Sequence, residues 1–335
     1  MKSKRATALK TTTEEPTPKL FKRKPKVAVE IVEVDEPTKG KKKKVKEPTS
    51  YDDDITALVA GIKKDIGDVF IPHEGVSSLV EVEDWIPMPQ PICDVIGTPG
   101  LPCGHVIEVM GAPDCGKTTL VTHALISAQK IGRVAILLDT EHKYHIGRAV
   151  AMGLNRKGLI IIRAETTEEA FSKFVTTLKH IIASPKWKDK KIVVAWDSIG
   201  ATPCKKEIDA EGENFAADSA KALKGGLRRT RYFLSQTKAC LLLINQTYEE
   251  IGGKSFFKKQ KGYGGKGPEY FSTVILSLSR LARLSKQVKG EKVRFGIHTQ
   301  IEAVKNHLAP PFKQVRVDID AKGIVYGGRK AGDDA

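Results

Sequence analysis

Gly111-Ala112-Pro113-Asp114-Cys115-Gly116-Lys117-Thr118 is the stretch on which the reading of this 335-residue chain turns. Its spacing is G-x-x-x-x-G-K-[ST]. It follows the apolar run Val106-Ile107-Glu108-Val109-Met110 and opens a helical pattern from Gly116 to Lys130, the strand-to-helix context the motif requires. Glycines let the backbone wrap a phosphate with its N–H groups, and a helix N-terminus adds about half a positive charge there. Lys117 is then placed for the β and γ phosphates of a nucleoside triphosphate and the Thr118 hydroxyl for Mg²⁺. Gly111 through Thr119 are the expected nucleotide contacts, and Cys115 sets a thiol inside them that modification would reach.

Outward from the loop, short β-branched runs alternate with longer helical ones. Strands are predicted at Val106–Met110, Val134–Leu138, Leu159–Ile162 and Ile192–Trp196, with helices at Gly116–Lys130, Ile146–Met152 and Glu168–Ile182 between them. Short connections between such runs imply an α/β fold with a central, mostly parallel sheet flanked by helices. A helix from Phe215 to Thr237 leads to a strand at Cys240–Ile244, and further strands are expected at Thr273–Leu278, Gly296–Val304 and Gln314–Ile319. Gly252 to Gly267, rich in Lys and Gly without apolar periodicity, reads as a mobile basic loop.

Two acidic positions complete the nucleotide chemistry. Asp197 ends the apolar strand Ile192–Trp196, at the carboxyl edge where open α/β sheets bind ligands; it suits the water shell of Mg²⁺, although Asp-Ser at a strand end also serves as a helix cap. Asp139-Thr140-Glu141-His142 follows the strand Val134–Leu138. A carboxylate there can orient or deprotonate the attacking water, and spacing alone leaves Glu141 and Asp139 both open.

The formal charge of +16 points to a polyanionic partner. Half of that excess lies in residues 1–50, rich in Lys, Thr, Pro and Glu, with the run Lys41-Lys42-Lys43-Lys44. Such a composition buries too little apolar surface to offset ordering, so a disordered basic arm is expected. Ile55, Leu58, Val59, Ile62 and Ile66 recur at helical spacing behind an Asp-rich start, predicting an amphipathic helix over Asp52–Phe70. Five scattered cysteines without a CxxC pair argue against a disulfide framework or a zinc site. No apolar run approaches the roughly 20 residues that span a bilayer and no signal peptide is evident, so a cytoplasmic protein without a membrane partner is expected.

Together these pieces resemble the RecA family of DNA recombinases, bacterial RecA and its bacteriophage relatives, over about Asp53 to Gly327. The resemblance is carried by Leu101–Val109 (LPCGHVIEV), Asp139–His142 (DTEH), Val194–Ser198 (VAWDS), Leu243–Gln246 (LINQ), Gly264-Gly265 and, above all, Val304–Lys313 (VKNHLAPPFK). The last string has no generic role in phosphate binding and sets this family apart from other P-loop ATPases.

The resemblance implies a DNA-dependent ATPase using ATP and Mg²⁺, assembled as a helical filament on single-stranded DNA and pairing it with double-stranded DNA in recombination and repair. Glu141 then matches the catalytic glutamate, Gln246 the sensor of the γ-phosphate, and Lys305 a lysine that reaches the ATP of a neighbouring subunit. His307 falls where the family has a second interface lysine, and Arg148 where bacterial RecA stacks a tyrosine on adenine; both are departures, the first giving a weaker, pH-sensitive cation. Lys254, Phe256, Phe257, Lys258, Lys259, Lys261, Tyr263, Gly264, Gly265 and Lys266 occupy the second DNA-binding loop. Cys204–Asp218 occupies the first but is acidic, and Lys221 and Arg228 fall at basic DNA contacts on the next helix. Tyr270 falls at an interface aromatic.

The organisation expected is a disordered tail at 1–50, an oligomerisation element at 51–85, an ATPase core with its DNA-binding loops at 86–327 and a short C-terminus at 328–335. The resemblance implies a member without the C-terminal domain of bacterial RecA, and a phage-type protein acting in a bacterial or host cytoplasm is expected. Single-strand-binding and mediator proteins are further expected partners.

Overall fold

The computed structural model describes residues 51–66, 82, 84–187, 191–210, 215–249 and 260–325. The basic tail, Lys254, Phe256, Phe257, Lys258, Lys259 and the last ten residues lie outside them. Helix α1 (Tyr51–Ile66) belongs to a unit separate from the rest. Asp52, Asp53 and Asp54 in its first turn and Lys63 and Lys64 in its last complement the helix dipole. None of Ile55, Leu58, Val59 and Ile62 along its apolar stripe is buried.

The second unit opens with β1 (Trp85–Pro87), antiparallel to β2 (Gly100–Pro102), and α2 (Gln90–Ile96) between them. Trp85 pairs with Pro102 within this unit, which takes in Gly75–Ala335. The main elements follow as β3 (Val106–Gly111), α3 (Lys117–Lys130), β4 (Val134–Asp139), α4 (Ile146–Ala151), β5 (Leu159–Arg163), α5 (Thr167–Ala183) and β6 (Ile192–Asp197). After them come α6 (Lys205–Asp209), α7 (Ala216–Thr237), β7 (Cys240–Glu249), β8 (Gln260–Gly262), α8 (Lys266–Phe271), β9 (Val274–Val288), β10 (Glu291–Asn306), β11 (Gln314–Asp320) and β12 (Gly323–Val325).

The large sheet has the order β12-β11-β10-β9-β3-β7-β6-β4-β5, with β8 paired to β7. From β9 to β5 the neighbours are parallel; β9 to β12 form an antiparallel extension. The expected α/β class is thus the one observed. Its cause is visible in β4 and β6, whose residues are buried throughout, as parallel strands covered on both faces must be. Alternate residues face opposite layers. Ala135, Leu137, Val193 and Ala195 pack with Leu120, Ala124 and Leu125 of α3, whereas Ile136, Leu138, Val194 and Trp196 pack with Phe171 and Phe174 of α5 and Leu227 of α7. Phe171 meets Trp196 edge-on at 4.9 Å. A Cβ on Gly226 of α7 would stand 2.0 Å from that phenylalanine ring, so glycine is what lets the two helices close.

Two expectations need correction. The strands expected at Thr273–Leu278 and Gly296–Val304 run on as a long hairpin, turned at Lys289-Gly290 with both residues at positive φ (51° and 85°). Beyond the core it carries Arg280, Arg283, Lys286, Lys292 and Arg294; the ladder continues where the apolar alternation that marks buried strands has stopped. The segment Gly252–Gly267 is not wholly loop either. Gln260–Gly262 pairs with β7, and Lys266 starts α8, whose Gly267 and Pro268 are buried. Tyr270 on α8 is 73% exposed and is therefore no core residue.

Candidate nucleotide site and the loops around it

The phosphate loop connects the central strand β3 to α3. Gly111 and Gly116 sit at φ 155° and 101°, and Asp114 at 58°. A Cβ on Gly111 would meet Leu278 O at 2.3 Å, so the loop can pass β9 only without a side chain there. Lys117, 8% exposed, donates from Nζ to Gly111 O at 2.8 Å and Ala112 O at 2.7 Å. Its ammonium lies inside the curl of the loop. Cys115 is buried, and burial pushes its thiol pKa up, which disfavours the thiolate that modification requires.

The strand alternation that builds the core also aims the polar groups. Asp139, Asp197 and Gln246 continue the positions of β4, β6 and β7 that face α3. Thr118 Oγ1 donates to Asp197 Oδ2 at 2.9 Å, joining the two residues expected at the metal. A hydroxyl beside a carboxylate next to a phosphate cradle is a donor set that suits Mg²⁺, which takes oxygen ligands and keeps several waters. Burial foremost, with Glu141 and Asp139 adding to it, raises the pKa of Asp197 from 3.8 to about 6; the Thr118 hydrogen bond and Lys117 pull the other way.

A raised folded-state pKa favours the protonated carboxyl, so this contribution to stability is complete below the unfolded value of 3.8 and is lost as pH rises through about 6. In metal-free protein the Tm of Asp197→Asn minus that of wild type should therefore grow between about pH 4 and 6 and level off above, measured by thermal denaturation across pH. A flat difference would mean that Asp197 is not held in this environment.

Glu141 lies two residues beyond the end of β4. Its Oε1 accepts from Gln246 Nε2 at 3.0 Å and from Ser198 Oγ, and Lys143 Nζ stands 4.0 Å from Oε2. Thr140 beside it accepts from Trp196 Nε1 at 3.2 Å and Thr202 Oγ1 at 2.7 Å and donates to Ser198 O at 3.1 Å, which fixes the turn. Ser198, Thr140 and Thr202 were not among the expected residues; only tertiary contact reveals them. On the other flank Arg148 donates to Thr119 Oγ1 at 3.3 Å and Asp320 O at 3.2 Å, so its guanidinium sits beside the first turn of α3.

Lys305 and His307 are not brought to the loop. Lys305 pairs in register with Ile275, and Ile275 with Glu108, three residues before Gly111, roughly 10 Å along the strands at about 3.3 Å per residue. Lys305 Nζ donates to Glu269 O at 2.6 Å. Burial lowers its pKa, with Glu269 and Glu108 opposing. Burial, then Lys305, lowers that of His307, which leaves the imidazole a poor cation at neutral pH.

The remaining segments meet at a cavity of about 820 Å³ lined by Thr202, Glu207, Phe215, Ser219, Tyr263 and Gly264 among others. Residues from both stretches expected to touch DNA thus share one hollow. Lys221, Arg228 and Lys266 are exposed, as is Gly265. Asn245, on the face of β7 opposite Gln246, donates from Nδ2 to Tyr263 O at 2.9 Å and to buried Glu108 Oε1 at 2.8 Å, and accepts from Tyr263 N at 3.0 Å. Tyr263 N also donates to Gln246 O at 3.3 Å. Two consecutive residues of one strand therefore touch the candidate catalytic carboxylate on one side and the glycine-rich segment on the other.

A family model, "RecA N-terminal domain", matches residues 54–325. Protein RecA of Geobacter metallireducens is 30% identical over 267 residues, covering 79% of this chain and 75% of that protein. Protein RecA of Symbiobacterium thermophilum is 32% identical over 268 residues, covering 79% and 73%.

Proposed function

The chain belongs to the RecA family, and we propose on that premise that it is an ATP-dependent recombinase. It assembles as a helical filament on single-stranded DNA, pairs it with homologous double-stranded DNA and exchanges strands, and ATP hydrolysis releases the product. The observation that carries this reading is the strand β7, which joins Gln246 to Glu141 and Asn245 to Tyr263. A change in what Gln246 touches is felt by the adjoining loop through one rigid strand, which gives nucleotide and DNA a shared two-state element.

In this reading the backbone of Gly111–Thr119 and the Lys117 ammonium hold the phosphates, and Arg148 stacks on the base. Thr118, and Asp197 through water, would hold Mg²⁺, which would supply charge neutralisation for the phosphates. Glu141 takes the proton of the attacking water, and Gln246 and Ser198 orient its carboxylate. Lys305 and His307, away from their own chain's loop, serve the nucleotide of a neighbouring protomer, so turnover requires assembly. Tyr263, Gly264, Gly265, Lys266, Lys221 and Arg228, with Lys254, Phe256, Phe257, Lys258, Lys259 and Lys261, form the DNA surface. Among the described residues no helix is long and apolar enough to cross a membrane. A bacterial or phage-infected cytoplasm and single-strand-binding or mediator partners fit the reading.

Electron micrographs with single-stranded DNA and a slowly hydrolysed ATP analogue test it. Stretched helical filaments, with DNA-stimulated ATPase and D-loop formation, are expected. Closed rings with directional unwinding would make the protein a helicase motor, and nucleotide binding without turnover a scaffold or mediator; either would overturn the proposal.

Replacing Lys254, Lys258, Lys259 and Lys261 together by Ala should weaken DNA binding mainly at low salt. Each lost phosphate contact flattens the slope of log affinity against log salt by about 0.7 on single strands. A slope unchanged in a filter-binding or anisotropy titration would place the DNA surface elsewhere.

A further inference from the structure

Asp139 is 4% exposed, and among the described residues its Oδ1 is the one buried side-chain oxygen or nitrogen without a hydrogen-bond partner. It closes β4 directly opposite Asp197 of β6 in parallel register. Both continue the strand positions facing α3, so the two carboxylates stand side by side about 4.8 Å apart at the backbone, with Thr118 bonded to the second of them. Nearby, Tyr144 OH and Thr122 Oγ1 bond each other at 2.9 Å, and Asp197 and Asp139 both bear on the Tyr144 phenol. The neighbouring hydroxyls are thus engaged elsewhere, and Asp139 Oδ1 has no donor among the described residues.

A buried carboxylate oxygen is ordinarily satisfied, and two adjacent carboxylates repel when both are ionised. One guest resolves both. A hydrated divalent cation neutralises the pair, and its water donates the missing hydrogen bond. Mg²⁺ suits that role because it dehydrates reluctantly and meets carboxylates through its waters.

We propose that Asp139 is the second carboxylate of the divalent-cation site, its Oδ1 accepting a hydrogen bond from a metal-bound water. It is a positioning residue for the cation, which separates it from Glu141. The spacing that made them rivals for one role assigns them two: Asp139 lies in the strand, under the metal, and Glu141 beyond it, bonded to Gln246.

This inference rests on the nucleotide site of the proposed function. The test is binding of a fluorescent ATP analogue to the full chain, titrated with Mg²⁺ and repeated in EDTA, with Mn²⁺ binding in the presence of nucleotide followed by electron paramagnetic resonance. For Asp139→Asn the half-saturating concentration of either metal should rise about tenfold, the lower end of what loss of an outer-shell partner does, while affinity in EDTA stays within twofold of wild type. Asp139→Ser, smaller and still able to hold a water, should show the same loss of metal affinity if the asparagine variant does not fold. A shift in metal half-saturation below twofold, with or without a lower Tm, would make the oxygen a seat for structural water and overturn the assignment. Metal-independent nucleotide binding by the wild type would instead remove the cation site from the functional reading itself.

Discussion

Lys117→Ala should abolish nucleotide hydrolysis, with kcat/KM falling by at least about a thousandfold, roughly 4 kcal/mol of transition-state stabilisation. The size follows from where the ammonium is. Lys117 is buried against its own loop and holds Gly111 O and Ala112 O from inside, so truncation removes the charge proposed to act on the phosphates and also the clamp that fixes the loop. Preorganised charge of this kind acts where negative charge develops and needs no rearrangement during reaction. Lys117→Arg should not rescue turnover, because a planar guanidinium is larger than the ammonium and cannot reproduce its compact contacts to two adjacent carbonyls. Phosphate release at saturating single-stranded DNA measures the loss, and a near-native melting temperature shows that the fold survives. Turnover at the wild-type rate in the alanine variant would dismiss this loop as the site of hydrolysis.

The parts of the fold legible in the sequence are those where burial dictates composition. β4 and β6 are continuous apolar runs up to their last residue, and β3 is apolar but for Glu108, because both faces are covered, and the expected ends agree with the observed ones to within about a residue. Their carboxyl ends then locate Asp197 and, just past the strand, Glu141. The outer half of the β9–β10 hairpin is not marked by the sequence because it hydrogen-bonds while burying little apolar surface beyond Leu284, and strand periodicity reports burial, not backbone pairing. α8 carries no helical signal because Gly267 and Pro268, poor helix residues, stand in its first turn; its place is set by packing on α7. Glu108 and Asn245 gave no signal, since a buried carboxylate paired across two strands has no sequence spacing. The choice between Asp139 and Glu141 was open for the same reason. Spacing leaves that choice open and the resemblance favours Glu141; pleat parity turns Asp139 toward α3, and the contacts of Gln246 and Ser198 set Glu141 apart from it.

Glu141→Gln should keep nucleotide binding, lower hydrolysis by about 10²–10⁴-fold, the usual worth of a positioned general base, and prolong the life of the ATP-bound protein on DNA. The substitution is nearly isosteric. Its remaining carbonyl oxygen can still accept from Ser198 Oγ or Gln246 Nε2, which meet on one oxygen of the native carboxylate, so Gln246 keeps a partner and β7 keeps its link to Asn245 and Tyr263. What is lost is the negative charge and the basic lone pair. If the DNA-holding arrangement persists until the γ-phosphate leaves, blocking the chemistry while sparing that link must lengthen residence on DNA by the same step it slows. Dissociation of labelled single-stranded DNA chased with competitor, in ATP against ADP, separates the cases. Slower release in ATP only, together with lost turnover, supports the coupling through β7. Lost turnover with unaltered release would keep Glu141 as the base but uncouple it from DNA, and unaltered turnover would return the catalytic role to another carboxylate.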